Sequence, residues 1–169
     1  NGDNHILTDV VRGTDRQLKS NSTASDTTLT NGVTSFDSDG FSLGNWSNVN
    51  QNSINHVAWN WKAGGTAVSN TDGDITSSVS ANTTSGFSVV TWTGTGANAT
   101  VGHGLGVVPK IIIVKNRNVV TNWIVGGSLI EDVGGSTNNY LLLNETAAMD
   151  SATTLYASYN TDTIGVKTD

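Results

Sequence analysis

Short runs of β-branched and aromatic residues, broken every few positions by glycine, asparagine or aspartate, recur along this chain from end to end. Such runs favour a pleated backbone, and they are too short for helices of ordinary length. Residues 5–11, 87–92, 122–125, 140–143 and 163–166 each read as a strand. Phe36-Asp37-Ser38-Asp39-Gly40-Phe41 reads as a tight turn between aromatic strand ends, because aspartate and glycine suit turn geometry. Within residues 54–61, Val57, Trp59 and Trp61 fall on one side of an alternating pattern and His56, Ala58 and Asn60 on the other. That pattern predicts a strand that buries an aromatic face. Ile111, Ile112, Ile113 and Val114 stand in a row, as in a strand covered on both faces. The expected fold class is all-β, built from antiparallel β-sandwich or jelly-roll-like units. Ile111, Ile113 and Phe87, with Trp92 or its neighbours, are the expected core between two sheets. Helix should be nearly absent, and residues 145–149 are the one short candidate for it.

Other classes fall away on composition. Hydrophobic residues make up 36% of the chain and charged residues 13%, with five Trp and one Pro. A disordered chain relies on charge and proline, so this one is expected to fold around a core. The formal charge of −6, with Lys110, Lys115 and Arg117 as the densest basic group, argues against a nucleic-acid partner. The absence of Cys removes disulfides and thiolate metal sites. No apolar run approaches the roughly 18 residues of a membrane-spanning helix, so no membrane insertion is expected. The chain opens on Asn1-Gly2-Asp3, with neither initiator Met nor signal peptide, and so reads as a piece of something longer.

An internal repeat organises the rest. At an offset of 123 residues, Leu18 meets Leu141, Asn21 meets Asn144, Thr23 meets Thr146 and Ala24 meets Ala147. Without a gap, Ser35 then meets Ser158, Phe36 meets Tyr159, Asp39 meets Asp162, Phe41 meets Ile164 and Leu43 meets Val166. Spacing and chemistry are kept together, which predicts two related units in tandem. Residues 1–63 would be the C-terminal part of a first unit. Residues 64–169 would be a second, lacking the counterpart of residues 46–61, with a joint at Lys62-Ala63-Gly64-Gly65. The uncovered edge of the second unit would be closed by further chain or by a neighbouring subunit.

Few residues suggest chemistry. His103 lies among glycines in Gly102-His103-Gly104-Leu105-Gly106, but the segment leads into a strand rather than a helix, so it is no phosphate cradle. Nor does any spacing supply the His with a nucleophile or an orienting acid. It reads as a turn, with Pro109 fixing the backbone before the next strand. Asp37-Ser38-Asp39-Gly40 and Asp72-Gly73-Asp74 resemble fragments of calcium loops but lack the remaining ligands, and side-chain-capped turns explain them. His5, His56 and His103 have no zinc spacing. No carboxylate pair, triad or metal set is spaced for an enzyme, and no cofactor is expected. Among the tryptophans, Trp46 lies between Asn and Ser in a loop and is the weak candidate for an exposed binding contact. Trp59 and Trp61 read as core.

The run Thr34-Ser35-Phe36-Asp37-Ser38-Asp39-Gly40-Phe41-Ser42-Leu43-Gly44, with Val57-Ala58-Trp59-Asn60-Trp61-Lys62-Ala63-Gly64-Gly65, resembles a repeat family found in tail proteins of marine bacteriophages. The stretch from Gly102 through Pro109 to Arg117 is similar to the His-x-Leu-Gly…Pro strand pair of the same family. The resemblance spans residue 11 to about residue 143 and departs at His56, where an aromatic is common. It implies a structural virion protein, part of a tail fibre or spike involved in host attachment. Its partners would be other virion proteins, and a host surface glycan is a further candidate. The resemblance also implies a homo-oligomer, with a trimer expected, located on the phage tail or particle surface. It carries over no catalytic residues. A capsid decoration or head-fibre protein, and a carbohydrate-binding module of a secreted bacterial protein, are the alternative readings.

Overall fold

The computed structural model describes residues 3–134, 139–151 and 158–167. Its elements are β1 (Ile6–Asp9), β2 (Gly13–Lys19), β3 (Thr27–Thr28), β4 (Val33–Phe36), β5 (Phe41–Leu43) and α1 (Ser47–Asn50), followed by β6 (Val68–Asn70), β7 (Ser77–Asn82), β8 (Phe87–Thr91) and β9 (Ala99–Gly102). Then come β10 (Ile112–Val114), β11 (Ile124–Gly126), α2 (Ser128–Gly134), β12 (Asn139–Leu142), β13 (Asp150–Ser151) and β14 (Thr163–Val166). The fold is all-β, made of small antiparallel sheets ordered β1-β2-β3, β4-β5, β6-β7-β8, β14-β9 and β10-β11-β12-β13. Both helices are short. Residues 145–149 are not helical.

Three of the sheets enclose the main core in a sandwich-like arrangement. Ile75, Val101, Ile112 and Ile164 are buried together, and Val90, Trp92, Val114, Ile124 and Val166 pack around them. β8, β9, β10, β11 and β14 thus each direct apolar side chains inward. Val101 is wholly buried, as expected where β9 pairs with β14. Phe87 and Trp92 are half-buried rather than central.

The isoleucine run corrects the sequence reading. Ile112 is buried, whereas Ile111 and Ile113 are 52% and 51% exposed. β10 is the edge strand of its sheet and only one of its faces meets the core. Alternation therefore sends Ile112 and Val114 in and Ile113 out. The aromatic strand expected over residues 54–61 does not form: among the described residues the segment pairs with no strand.

The offset of 123 residues reappears in the backbone. In the first sheet Ile6 pairs with Lys19 and Leu7 with Leu18, and in the later one Ile124 pairs with Leu142 and Val125 with Leu141. On the other side, Arg16 pairs with Thr28 and Gln17 with Thr27, as Asn139 does with Ser151 and Tyr140 with Asp150. Asn21 Oδ1 accepts the backbone N–H of His5 at 2.9 Å, and Asn144 Oδ1 accepts that of Trp123 at 2.8 Å. In the next hairpin Phe36 pairs with Phe41 as Tyr159 does with Ile164. The amide of Asp37 donates to Gly40 O and that of Asn160 to Thr163 O, each at 2.9 Å. β1 and β11 correspond at an offset of 118 (Leu7 with Val125). The five-residue difference lies where α2 stands in place of the short turn between β1 and β2.

The two copies meet at one joint. The indole N–H of Trp123, itself 6% exposed, donates to Lys19 O at 2.9 Å and Ser22 O at 3.1 Å. Thr121 N donates to Thr23 O, and Asp26 N to Arg117 O. The Asp26 carboxylate, 1% exposed, takes Arg117 through Nε at 2.8 Å and through its terminal nitrogen at 2.7 Å. Arg16 lies 3.5 Å and Arg12 3.8 Å from the same carboxylate.

Candidate functional site

The most exposed apolar chemistry sits on residues 51–62, every one of which is exposed. Trp59 is 76% exposed, Trp61 58%, Val57 83% and Ile54 51%. Trp61 stacks on Phe87 at the start of β8, with ring centroids 6.1 Å apart and planes 22° from parallel. Trp59 meets Trp61 edge-on, at 6.5 Å and 85°. Offset and edge-to-face geometries are those that aromatic quadrupoles prefer.

Local contacts fix this trio. His56 Nε2 accepts the amide of Gln51 at 3.2 Å, closing the turn before it. After it, Ser85 Oγ donates to Lys62 O and Ser80 Oγ to Gly65 O, both at 2.7 Å. Gly64 lies so close to β7 that a Cβ there would come within 2.1 Å of Ala81 O. The expected joint at residues 62–65 is therefore strapped to β7. The strap holds Trp61 over Phe87, and both tryptophans remain more than half exposed. Flat, exposed rings of this kind can stack on the apolar face of a sugar ring or on another protein.

Trp46 has the opposite character. It is half-buried, its amide donates to Asn31 O at 3.1 Å, and its carbonyl accepts the amides of Val49 and Asn50. The structure thus exchanges the roles that the sequence pattern suggests. Trp59 and Trp61 project outward while Trp46 is tied into the start of α1. Alternation alone could not reveal this, because it shows which side chains share a face and not whether anything covers that face.

A shallow open groove of about 420 Å³ lies elsewhere, lined by Ser69, Thr76, Ser78, Thr91, Trp92 and Arg117 among others. Hydroxyls dominate it, and Arg117 is held by Asp26. It has hydrogen-bonding capacity but no nucleophile–base pair.

The remaining sequence candidates are structural. His103 is 3% exposed. Its Nδ1 accepts the Leu105 amide at 3.2 Å, so Nε2 carries the proton and donates to Asn160 O at 3.2 Å. Gly104 and Gly106 adopt φ of +70° and +69°, a region closed to most side chains. Asp37 accepts the hydroxyls of Ser35 at 2.8 Å and Ser42 at 2.9 Å. Asp74 Oδ2 accepts both the amide and the hydroxyl of Thr100. Asp37 and Asp74 thus spend their carboxylates on neighbouring groups of the protein, and among the described residues no group of His, Cys, Asp or Glu is placed to hold a metal. Burial draws the Lys115 ammonium below its ordinary range, while the carbonyls of Asn116 and Val119 accept its protons at 2.6 and 3.1 Å. Among the described residues no helix is long and apolar enough to cross a membrane.

No curated protein and no solved structure matches the chain. One family does, over residues 1–168, so that the match runs through both copies of the repeated strands and the strap between them. The chain belongs to this family, a domain of unknown function designated DUF7483.

Proposed function

We propose that this protein is a structural component of a bacteriophage particle, part of a tail fibre or spike that contacts the host. The observation that carries this reading is the tandem docking of repeated strand units. The same hairpin registers recur at an offset of 123 residues (Leu18 with Leu141), and the buried Asp26 carboxylate pairs with Arg117 across the joint between the copies. Units that dock end to end extend a rod without a new interface for each step. On this reading residues 1–63 and residues 64–169 belong to two related units in tandem. The sequence resemblance to marine phage tail proteins supports the same role, which is not enzymatic.

The assembled form is a homo-oligomer, with a trimer favoured, on the tail or particle surface and among other virion proteins. Exposed apolar residues such as Ile113 and Val57 support subunit contacts, since scattered polar surface would need none. Gold-labelled antibody against this chain should decorate the tails of intact particles. Label on the capsid shell would favour a decoration or head-fibre role, and absence from purified particles would defeat the proposal. The exposed Trp59–Trp61–Phe87 trio favours a second reading, a carbohydrate-binding module. Glycan-array binding by the isolated monomer, lost in Trp59→Ala and Trp61→Ala, would support it.

A further inference from the structure

The repeat allows one copy's surroundings to be compared with the other's. β14 has a partner on each side. Residue 159 bridges to Ile164 on one side. On the other, β9 pairs in the register Thr163–Gly102, Ile164–Val101, Gly165–Thr100 and Val166–Ala99. β5 is the counterpart of β14, since Phe36 pairs with Phe41 as Tyr159 does with Ile164. Among the described residues β5 pairs with β4 alone.

Backbone direction shows which groups this leaves open. The amide of Gly165 donates to Ser158 O and that of Asn160 to Thr163 O, so residues 163 and 165 face the hairpin and Ile164 and Val166 face β9. In the first copy Asp37 N donates to Gly40 O and Gly44 N to Gly32 O. Phe41 and Leu43 therefore present their N–H and C=O groups to the open edge. Exposure gives an independent sign of the same vacancy. Ile164 is 5% exposed whereas its counterpart Phe41 is half-buried, and Val166 is half-buried whereas its counterpart Leu43 is 38% exposed.

The geometry points to the edge of β5 as a docking site for a β-strand with the β9 pattern, supplied by another unit of this same kind. Its register follows from the second copy: the strand runs antiparallel to β5, with its valine opposite Phe41 and its alanine opposite Leu43. The histidine that follows has a place as well. In the second copy the amide of His103 donates to Asp162 O at 3.0 Å and its imidazole to Asn160 O at 3.2 Å. The counterpart carbonyls are those of Asp39 and Asp37. Strand addition to an exposed sheet edge is an established recognition mode, in which the backbone supplies affinity and alternate side chains supply selectivity. The site stands on the repeat geometry and is independent of the role in a phage particle.

The test uses the full chain and a synthetic peptide covering residues 98–105, with amide exchange followed residue by residue. At nine-tenths occupancy the Phe41 and Leu43 amides should exchange about tenfold more slowly. The Val101→Pro peptide, which lacks one strand N–H, should give no slowing. The His103→Ala peptide should bind about fivefold more weakly, the loss expected for one hydrogen bond. Unchanged exchange at Phe41 and Leu43 with the native peptide would overturn the proposal. So would slowing confined to Ile164 and Val166, or equal affinity for the His103→Ala peptide, which would place the strand in another register.

Discussion

Asp26→Asn tests the joint most directly. The carboxylate is 1% exposed and faces three guanidinium groups, with Arg117 making contacts of 2.7 and 2.8 Å. The amide keeps the shape but removes the charge and turns an N–H₂ group toward cations. Arg117 and Arg16 are 37% and 35% exposed, so both regain water and their share of the loss is modest. Arg12 is different: it is 5% exposed, and although it keeps Asp9 at 2.5 Å it would lose its second counter-charge. Hydrogen bonds to charged groups contribute about 1.5–3 kcal/mol, and breaking a buried pair costs about 3–5. With the exposed partners discounted, Asp26→Asn should cost about 3–4 kcal/mol. At about 2–4 °C per kcal/mol for a chain of this size, the midpoint falls by about 6–16 °C. Arg117→Met should cost less, about 1–2 kcal/mol, because Asp26 still has Arg16 at 3.5 Å. Urea unfolding of both variants gives the comparison. A loss of 1 kcal/mol or less for Asp26→Asn, or a larger loss for Arg117→Met, would refute the view that this carboxylate organises the joint.

Ile112→Ala should lose about 2–5 kcal/mol in the same assay and Ile113→Ala under about 1, since only the former side chain is buried; a larger loss for Ile113→Ala would mean that β10 faces the other way. Trp123→Phe leaves an aromatic ring, though a smaller one, and removes the donor to Lys19 O and Ser22 O, so it should cost at least about 1–3 kcal/mol. Trp59→Ala should leave the unfolding midpoint within about 2 °C, while acrylamide quenching of the remaining tryptophan emission drops as an exposed fluorophore is lost. Lys115 should deprotonate at lower pH than a lysine in free solution, as followed by the NMR shift of its ε-carbon.

What the sequence made legible was local. β14 occupies residues 163–166 as its β-branched run implies, and the hairpin at residues 36–41 closes through the Asp37–Gly40 turn. The offset of 123 was readable for the same reason, because turn residues such as Asn21 and Asn144 make the same backbone bond in each copy. The offset of 118 between β1 and β11 was not readable. His5 and Trp123 hold equivalent backbone places but share no chemistry, and α2 interrupts the count. Burial failed where a partner had to be known. The alternation in residues 54–61 and the isoleucine row both describe faces, and the missing cover left Trp59, Trp61, Ile111 and Ile113 exposed. Only the fold joins Arg117 to Asp26, which lie far apart in the chain. The repeat also sharpens what the joint means. The offset that superposes Leu18 on Leu141 places Met149 where Asp26 stands and Asn139 where Arg16 stands. Strand register is therefore preserved while the charge cluster is not. An arginine-bearing loop is specified as a docking partner at the first copy alone, and a unit docking on β12 and β13 would meet a thioether instead of a buried carboxylate. Register carries the common scaffold, and the side chains at each joint set which neighbour fits it.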